Sequence, residues 1–179
     1  MHARFLLILF TFFCAMPLAA QESSSVFNFL SLASSSHANA LGGKNITMVE
    51  NDASLILQNP ALMSGVDDNS ISLNFLTYMK GSKMGSATYV RTIDERGTWG
   101  VAAQFVGYGS MKETLETGQV IGDMGALDMA LSGMYSYSLN DFWVGGVTGK
   151  FIYSKYGSYN SVGLAADLAL DALADPLED

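Results

Sequence analysis

The stretch LDMALSGMYSYSL, residues 127–139, alternates large and small side chains with a period of two. The large set consists of Leu127, Met129, Leu131, Tyr135, Tyr137 and Leu139. The opposite set includes Asp128, Ala130, Ser132, Ser136 and Ser138. Because successive side chains of a strand point to opposite faces, this pattern predicts a β-strand with one apolar and one polar face.

The same pattern recurs along most of the chain and predicts an antiparallel all-β fold. Five further candidate strands span residues 69–79, 84–93, 98–109, 142–156 and 158–170. Strands of soluble proteins average about 5–6 residues, whereas tilted membrane-spanning strands need about 9–11. The candidate strands run from ten to fifteen residues, so their length favours a membrane β-barrel. Arg91 is an exception to the alternation in its strand.

The connections between the candidate strands differ in length. Asn140 and Asp141 form a tight turn between the fourth and fifth strands, and Gly157 forms another before the sixth. A long polar loop over 110–126 separates the third and fourth strands. Short turns that alternate with longer loops are typical of membrane barrels. A set of aromatic residues near strand ends predicts an interfacial girdle: Tyr78, Tyr108, Trp143, Tyr153 and Tyr156.

The charge of the chain limits its partners. Charged residues make up 15% of the sequence, against about 25% in ordinary soluble domains. The formal net charge is −8, and the lysines are scattered along the chain. Nucleic acid is therefore not expected as a partner, because phosphate binding requires clustered Lys and Arg.

Residues 1–20 are predicted to form a cleaved secretory signal peptide. Arg4 precedes a long apolar core, and small Ala20 lies before an expected cut at Gln21. Cys14 lies inside this segment, so the exported chain has no cysteine for a disulfide or a thiolate site. Export without disulfides predicts a bacterial envelope protein, and the strand pattern places it in the outer membrane.

Residues 21–68 are predicted to form a short helical segment that plugs the barrel ahead of the strands at 69–179. Within it, ALGGKNITMVENDASLILQNPALM (40–63) contains the motif residues on which this prediction depends. Gly42 and Gly43 are expected to stop a helix over 34–40, and Asp52 to cap a helix over 53–58. The corner formed by Asn59, Pro60 and Ala61 is expected to end that helix and start another turn.

The sequence does not predict an enzyme. No serine lies three residues before a lysine, and the Gly-x-Ser-x-Gly nucleophile elbow is missing. His37 is the single histidine beyond the signal, and the acids near 50–68 lack the spacing of a calcium loop. We therefore expect no catalytic residues, no metal ligands and no cofactor. Asp128 and Asp167 lie on polar strand faces and are expected to face a barrel lumen.

Several of these motifs resemble those of one family. The stretches SVFNFLSLASSSHANALGG (25–43), ENDAS (50–54), QNPALM (58–63) and GKFIYSKYGSYNSVGLAADLAL (149–170) are similar to the PorQ family, a group of FadL-like outer-membrane barrels of the type IX secretion system. The resemblance implies a barrel of about 14 strands, of which about six are present here. It therefore implies the N-terminal part of a longer barrel, or a truncated product.

The resemblance also implies a function. Members of this family act without catalytic residues of their own, alongside PorV, PorU and PorZ in the cell-surface complex that attaches exported proteins. We expect this chain to anchor or organise that complex in outer-membrane lipid. One alternative is a FadL-like channel for hydrophobic small molecules. A third hypothesis is a secreted, soluble β-sandwich.

Overall fold

A computed structural model describes residues 27–44, 46–78, 81–114 and 120–172. The predicted signal segment lies outside these residues. The described part contains one six-stranded antiparallel sheet and several short helical turns. The strands are β1 Ser70–Thr77, β2 Lys83–Thr92, β3 Gly97–Thr114, β4 Val120–Ser138, β5 Trp143–Tyr156 and β6 Tyr159–Ala172. The prediction of an antiparallel β fold is confirmed.

The strands follow one another in chain order, so every strand pairs with its neighbour in sequence. The register is continuous over long stretches. One row across the sheet, for example, joins Ala87, Ala103, Leu131, Phe151 and Leu164 through successive Cα pairs. Because side chains in such a row share a face, the period-two pattern of each strand adds up to two distinct faces of the whole sheet.

The region predicted as a long polar loop between the third and fourth strands is largely β-structure. β3 continues to Thr114 and β4 begins at Val120, and their paired backbones include Ser110 with Gly125. Two register shifts interrupt this extension. The prediction of a loop was wrong for 110–114 and 120–126, because backbone hydrogen bonds alone can continue a two-stranded ladder, whether or not its side chains alternate in polarity. Residues 115–119 of the predicted loop lie outside the described part of the chain.

The turns divide between the two ends of the sheet. The turn end carries the β2–β3 and β4–β5 turns, which are closed by Asp94 and Asn140. At the opposite end, called the hairpin end, β3 and β4 extend furthest. The tight turn at Gly157 also lies at the hairpin end, and Gly157 N donates to Gly125 O at 2.9 Å. A strict division between short turns at one end and long loops at the other is therefore not observed.

The N-terminal segment consists of short helical turns. It contains the 3-10 helices η1 (Asn28–Ser31), η2 (Leu55–Leu57) and η3 (Pro60–Gly65) and the α-helix α1 (Ser36–Ala40). η2 spans three residues, which is shorter than the helix predicted over 53–58. The 3-10 form suits such short pieces, because tighter turns close with fewer residues.

The core lies between this N-terminal segment and one face of the sheet. One cluster packs Ile56 and Met63 of the segment on Val90, Ala102 and Met134 of the strands. A second cluster surrounds Phe29 with Met84, Val106, Ala130 and Ile152. A third lies mostly within the segment itself and contains Ala33, Ala38, Leu55 and Leu62. The sheet therefore buries one face beneath the segment, and we call this its inner face.

Candidate functional site

The outer face of the sheet is apolar and exposed. Its large exposed side chains come from β1 and β3 to β6, and many retain half or more of their accessible surface. They include Ile71, Leu73, Phe75, Val101, Met129, Leu131, Val147, Phe151, Val162, Leu164, Leu168 and Leu170. Leu164 and Leu168 are 83% and 86% exposed. Contiguous apolar surface of this extent marks a surface that contacts a partner or a membrane.

The inner face is mixed, since small and polar side chains are buried there beside the apolar residues that pack under the segment. Its buried side chains include Ser86, Thr88, Gln104, Asp128, Ser132, Ser136, Thr148 and Ser154. A two-sided sheet in water places its apolar face on the core and its polar face in solvent. In this sheet the more uniformly apolar face is the exposed one, and that is the main functional observation. Asp128 lies on the inner face as expected, and so does Asp167.

The aromatic residues predicted to form one girdle belong to both faces. Trp143 and Tyr153 point outward with the apolar set, whereas Tyr108 and Tyr156 lie on the inner face. The hydroxyls of these two tyrosines both donate to Asp128 Oδ2, each at 2.7 Å. The prediction of a girdle position was therefore wrong for Tyr108 and Tyr156, because their polar ends are held by a buried carboxylate.

Asp128 is a buried acid with an incomplete set of partners. It is 2% exposed, and its Oδ1 atom has no hydrogen-bond partner. Ser154, the residue paired with it on β5, also has a buried hydroxyl without a partner. The cost of burying the carboxylate is therefore offset through Oδ2 alone, by the two tyrosine hydroxyls.

A second group of aromatics lines the outer face at the turn end. Trp99 packs edge-on against Tyr89, with ring centroids 5.8 Å apart. Tyr135 is the neighbour of Trp99 on β4, and the hydroxyl of Tyr135 lies over Gly97. Tyr and Trp rings combine an apolar body with a polar tip, so they suit a boundary between apolar and aqueous surroundings.

The motif residues predicted in the N-terminal segment belong to one connected scaffold. Gly42 and Gly43 follow α1 with φ angles of +94° and +90°, a conformation that favours glycine. Gly43 N donates to Ala38 O at 2.8 Å and closes the end of α1. Gly43 O in turn accepts from Gln58 Nε2 at 3.0 Å, which ties this helix end to the residues before the Asn-Pro corner.

Asn59 organises that corner with both ends of its amide. Its Oδ1 accepts from Ala61 N at 2.9 Å and caps η3, while Pro60 occupies the first helical position. Its Nδ2 donates to Ile46 O at 2.5 Å. η3 then lies against β5 at Gly146, where an added Cβ would stand 2.6 Å from Ala61 N. The sequence pattern did not identify Gly146, although a glycine on the inner face of a strand can indicate such a close approach.

Asp52 has two roles in the structure. Its Oδ1 accepts from Ser54 N at 2.8 Å and closes a turn ahead of η2, although Ser54 is the residue that precedes this helix. Its Oδ2 lies 2.7 Å from His37 Nδ1, and Glu50 Oε2 lies 3.4 Å from His37 Nε2. The hydrogen bond with Asp52, opposed by partial burial and helped by the Glu50 charge, raises the pKa of His37. Burial favours a higher pKa for Asp52, but its bonds with His37 and Ser54 outweigh burial and lower that pKa.

A groove of about 540 Å³ separates the segment from β5 and β6 on the inner side. Its walls are mostly apolar and include Phe27, Leu30 and Leu57. Two lysines also line it, Lys44 and Lys150, and Lys150 Nζ lies 2.5 Å from Asp167 Oδ2. The groove therefore combines an apolar wall with cationic groups, a composition that suits a small amphipathic molecule.

The described residues do not bring metal-ligating side chains together in groups of three or more. In the same part of the chain, no helix is long and apolar enough to cross a membrane. A comparison with models of known protein families finds no match for this sequence, and neither does a comparison with curated protein sequences.

Proposed function

We propose that the chain forms part of a non-enzymatic outer-membrane β-barrel whose outer face contacts lipid. The observation that carries this proposal is the exposed apolar outer face of the sheet, opposite an inner face that buries polar as well as apolar side chains. Membrane barrels alternate in this manner, since their outward positions meet hydrocarbon and their inward positions meet a polar interior. Transferring each large side chain from water to an apolar medium is favourable by about 1.5–3 kcal/mol.

Two further features support a membrane location. Strands β3 to β6 are long enough to cross the bilayer, since a tilted spanning strand needs about 9–11 residues. Trp99, Tyr135 and Tyr89 cluster at one end of the apolar face, where an interfacial aromatic belt would lie. A soluble β-sandwich would instead need a second apolar layer on the outer face. The predicted signal peptide agrees with export to the outer membrane.

For the cellular role, we propose a component of type IX secretion that anchors or organises the surface attachment complex. The support is the resemblance of the N-terminal segment and of residues 149–170 to the PorQ family. The partners proposed on this basis are PorZ, PorU and PorV-like proteins together with outer-membrane lipid. The N-terminal segment has the role of a plug that fills the inner face.

Membrane fractionation tests the location. The chain should sediment with outer membranes and resist extraction by carbonate, and it should require detergent for solubility. Recovery in the soluble periplasm would contradict the barrel proposal. Deletion of the gene tests the cellular role, because surface attachment of type IX cargo and of PorZ should then fail. Unchanged attachment would contradict a role in secretion without affecting the membrane assignment.

The inner groove favours a second candidate function, a channel for hydrophobic small molecules. Its apolar wall faces Lys44, so an amphipathic acid would find both an apolar surface and a cationic group, whereas Lys150 is paired with Asp167. In this alternative the N-terminal segment moves to let the ligand pass. Loss of fatty-acid uptake on gene deletion, with normal cargo attachment, would favour the channel over the secretion role.

A further inference from the structure

Arg91 is a charged residue on the mostly apolar outer face, which also carries Lys83 and Lys155. It follows Ala87 and Tyr89 along β2 at alternate positions, so the three side chains share that face. Arg91 is exposed. The ion pairs among residues 27–44, 46–78, 81–114 and 120–172 involve His37 and Lys150 and do not include Arg91. The guanidinium therefore has no ion-pair partner within the part of the chain that the structure describes.

Two carboxylates near the turn end of β2, Asp94 and Asp68, are engaged with backbone groups. Asp94 Oδ1 accepts from Arg96 N and Gly97 N within its own turn. Asp68 Oδ1 accepts from Thr92 N at 2.8 Å. These bonds direct both carboxylates to the main chain at the turn end, and the Arg91 fork stays available for an anion.

A depression in the outer face runs along the strands and ends at Tyr89, two residues before Arg91. It consists of two adjoining cavities of about 680 and 270 Å³ that share Ala87, Ala103 and Leu131. Small residues form the floor of this depression. The ring of Phe105 lies close over Gly85, because a Cβ added at Gly85 would stand 2.3 Å from the ring atom Cε1 of Phe105. A groove rather than a flat surface results, because alanine and glycine are flanked by larger side chains of β1 and β4.

The length of this groove matches one leaflet of a bilayer. Six residues separate Gly85 from Arg91, which is about 20 Å of strand at about 3.4 Å per residue. A strand tilted by about 45° would cover about 14 Å of membrane depth over that distance, and half of a hydrocarbon core is about 15 Å. Arg91 would then lie at headgroup level when the far end of the groove lies near the midplane.

The surroundings of Arg91 agree with that depth. Trp99 is the residue paired with Arg91 on β3, and its ring is packed against Tyr89. Arginine and tryptophan are both favoured where hydrocarbon gives way to phosphate and water. The guanidinium and the aromatic pair therefore mark the same boundary on independent grounds.

We propose that this groove binds one glycerophospholipid, with an acyl chain along Ala87 and Ala103 and the phosphate on the Arg91 guanidinium. This inference rests on the proposed membrane location. A guanidinium presents two parallel N–H donors that match phosphate oxygens, so it suits a phosphate better than a neutral headgroup.

The test uses the full chain in detergent micelles, with palmitoyl-oleoyl phosphatidylglycerol added in small excess. Native mass spectrometry then counts the lipid molecules that remain bound. Arg91→Gln should weaken binding about tenfold or more, since a charge-assisted contact to phosphate is lost. Arg91→Lys should retain part of the affinity. The matched control is Arg96→Gln in the adjacent turn, which should bind as the parent chain does.

A second variant tests the groove itself. Ala103→Phe fills the floor and should abolish lipid retention, whereas Ala166→Phe, on the outer face of β6 away from the groove, should not. Diacylglycerol of the same acyl composition, which lacks the phosphate, should bind the parent chain and Arg91→Gln equally weakly. Equal retention of phosphatidylglycerol by the parent chain, Arg91→Gln and Ala103→Phe would overturn the inference.

Flotation of each variant with vesicles of the same phospholipid separates this inference from the proposed function. Chains that float but show no dependence on Arg91 or Ala103 would contradict the lipid site alone. A parent chain that does not float would contradict both the membrane location and the site. Arg91→Gln changes an exposed side chain, so its folding and flotation should match the parent even where Ala103→Phe impairs them.

Discussion

Gly146 of β5 lies directly beneath Ala61 of η3, and a Cβ added at Gly146 would stand 2.6 Å from Ala61 N. The same added atom would lie 2.8 Å from the carbonyl carbon of Pro60. The backbone of the Asn-Pro corner therefore occupies the space of a missing side chain. The N-terminal segment is fitted to the sheet at this point, and the fit depends on both residues.

Gly146→Ala should lift the corner from the inner face. The backbone of η3 cannot yield as a flexible side chain does, so the overpacked site should lose about 1–3 kcal/mol of folding free energy. Urea unfolding in detergent, followed by tryptophan fluorescence, measures the loss, and proteolysis within 46–66 should accelerate. The control is Gly149→Ala on the same strand, where an added Cβ meets nothing within 4 Å. Equal stability of the two variants would contradict the proposed fit.

Asn59 offers a way to separate the two bonds of one amide. Asn59→Asp keeps an oxygen for Ala61 N but loses the donor to Ile46 O, whereas Asn59→Ala loses both bonds. Loss of a helix cap costs about 1 kcal/mol, but Asn59 is buried and a carboxylate oxygen would face Ile46 O in Asn59→Asp, so Asn59→Asp should be the less stable of the two variants. Asn74→Ala is a suitable control, because the Asn74 amide bonds to the Ser72 hydroxyl of the same strand. The ranking fails if the two Asn59 variants unfold at the same urea concentration.

The ion pair of His37 and Asp52 predicts a pH dependence of stability. The pKa of His37 is raised above its ordinary value of 6.5, so its contribution is complete below pH 6.5 and is lost as pH rises through the folded-state pKa. The pKa of Asp52 is lowered below 3.8, so its contribution is present above that pH and is lost as pH falls through the folded-state value. The pair should therefore stabilise the segment most between these limits.

An NMR titration of His37 checks this, because the exported chain is predicted to have no other histidine. Its midpoint should lie above 6.5 and should fall in Asp52→Asn, a variant that keeps an acceptor for Ser54 N. Glu50→Gln should produce a smaller fall, since Glu50 Oε2 is 3.4 Å from the ring and Asp52 Oδ2 is 2.7 Å. A midpoint at 6.5 or below in the parent chain would refute the coupling.

The buried acid Asp128 should depend on its two tyrosine partners. Tyr108→Phe and Tyr156→Phe each remove one hydroxyl from Oδ2, and each should cost about 0.5–1.5 kcal/mol. The double variant should cost more than the sum of the two, because the carboxylate is then buried without a donor. Tyr137→Phe, on the outer face of β4, serves as the control and should be neutral. Additive losses in the urea series would show that the carboxylate gains another partner.

How far the sequence predicts this structure depends on the residue. Period-two alternation identified all six strands, and the Asn-Pro corner with its proline at the first helical position follows from local rules. The sequence could have placed Tyr108 and Tyr156 on the inner face. Tyr108 is four residues from Gln104 and Tyr156 is two residues from Ser154, and residues an even number apart in a strand share a face. The extent of the β3–β4 ladder and the contact at Gly146 could not be predicted from the sequence, because backbone pairing and close packing depend on residues distant in sequence.

The outer face provides the sharpest distinction between a lipid-facing and a water-facing sheet. Leu131 lies in the middle of β4, and Tyr137 lies on the same face six residues toward the turn end. Arginine at the bilayer midplane of a barrel costs about 2–4 kcal/mol, and near the interface about 0–1 kcal/mol. Leu131→Arg should therefore reduce folding into vesicles far more than Tyr137→Arg does. If the outer face met water, arginine in place of Leu131, which is 60% exposed, would be neutral or would improve solubility. Equal folding of the Leu131→Arg and Tyr137→Arg variants would therefore contradict the lipid-facing assignment.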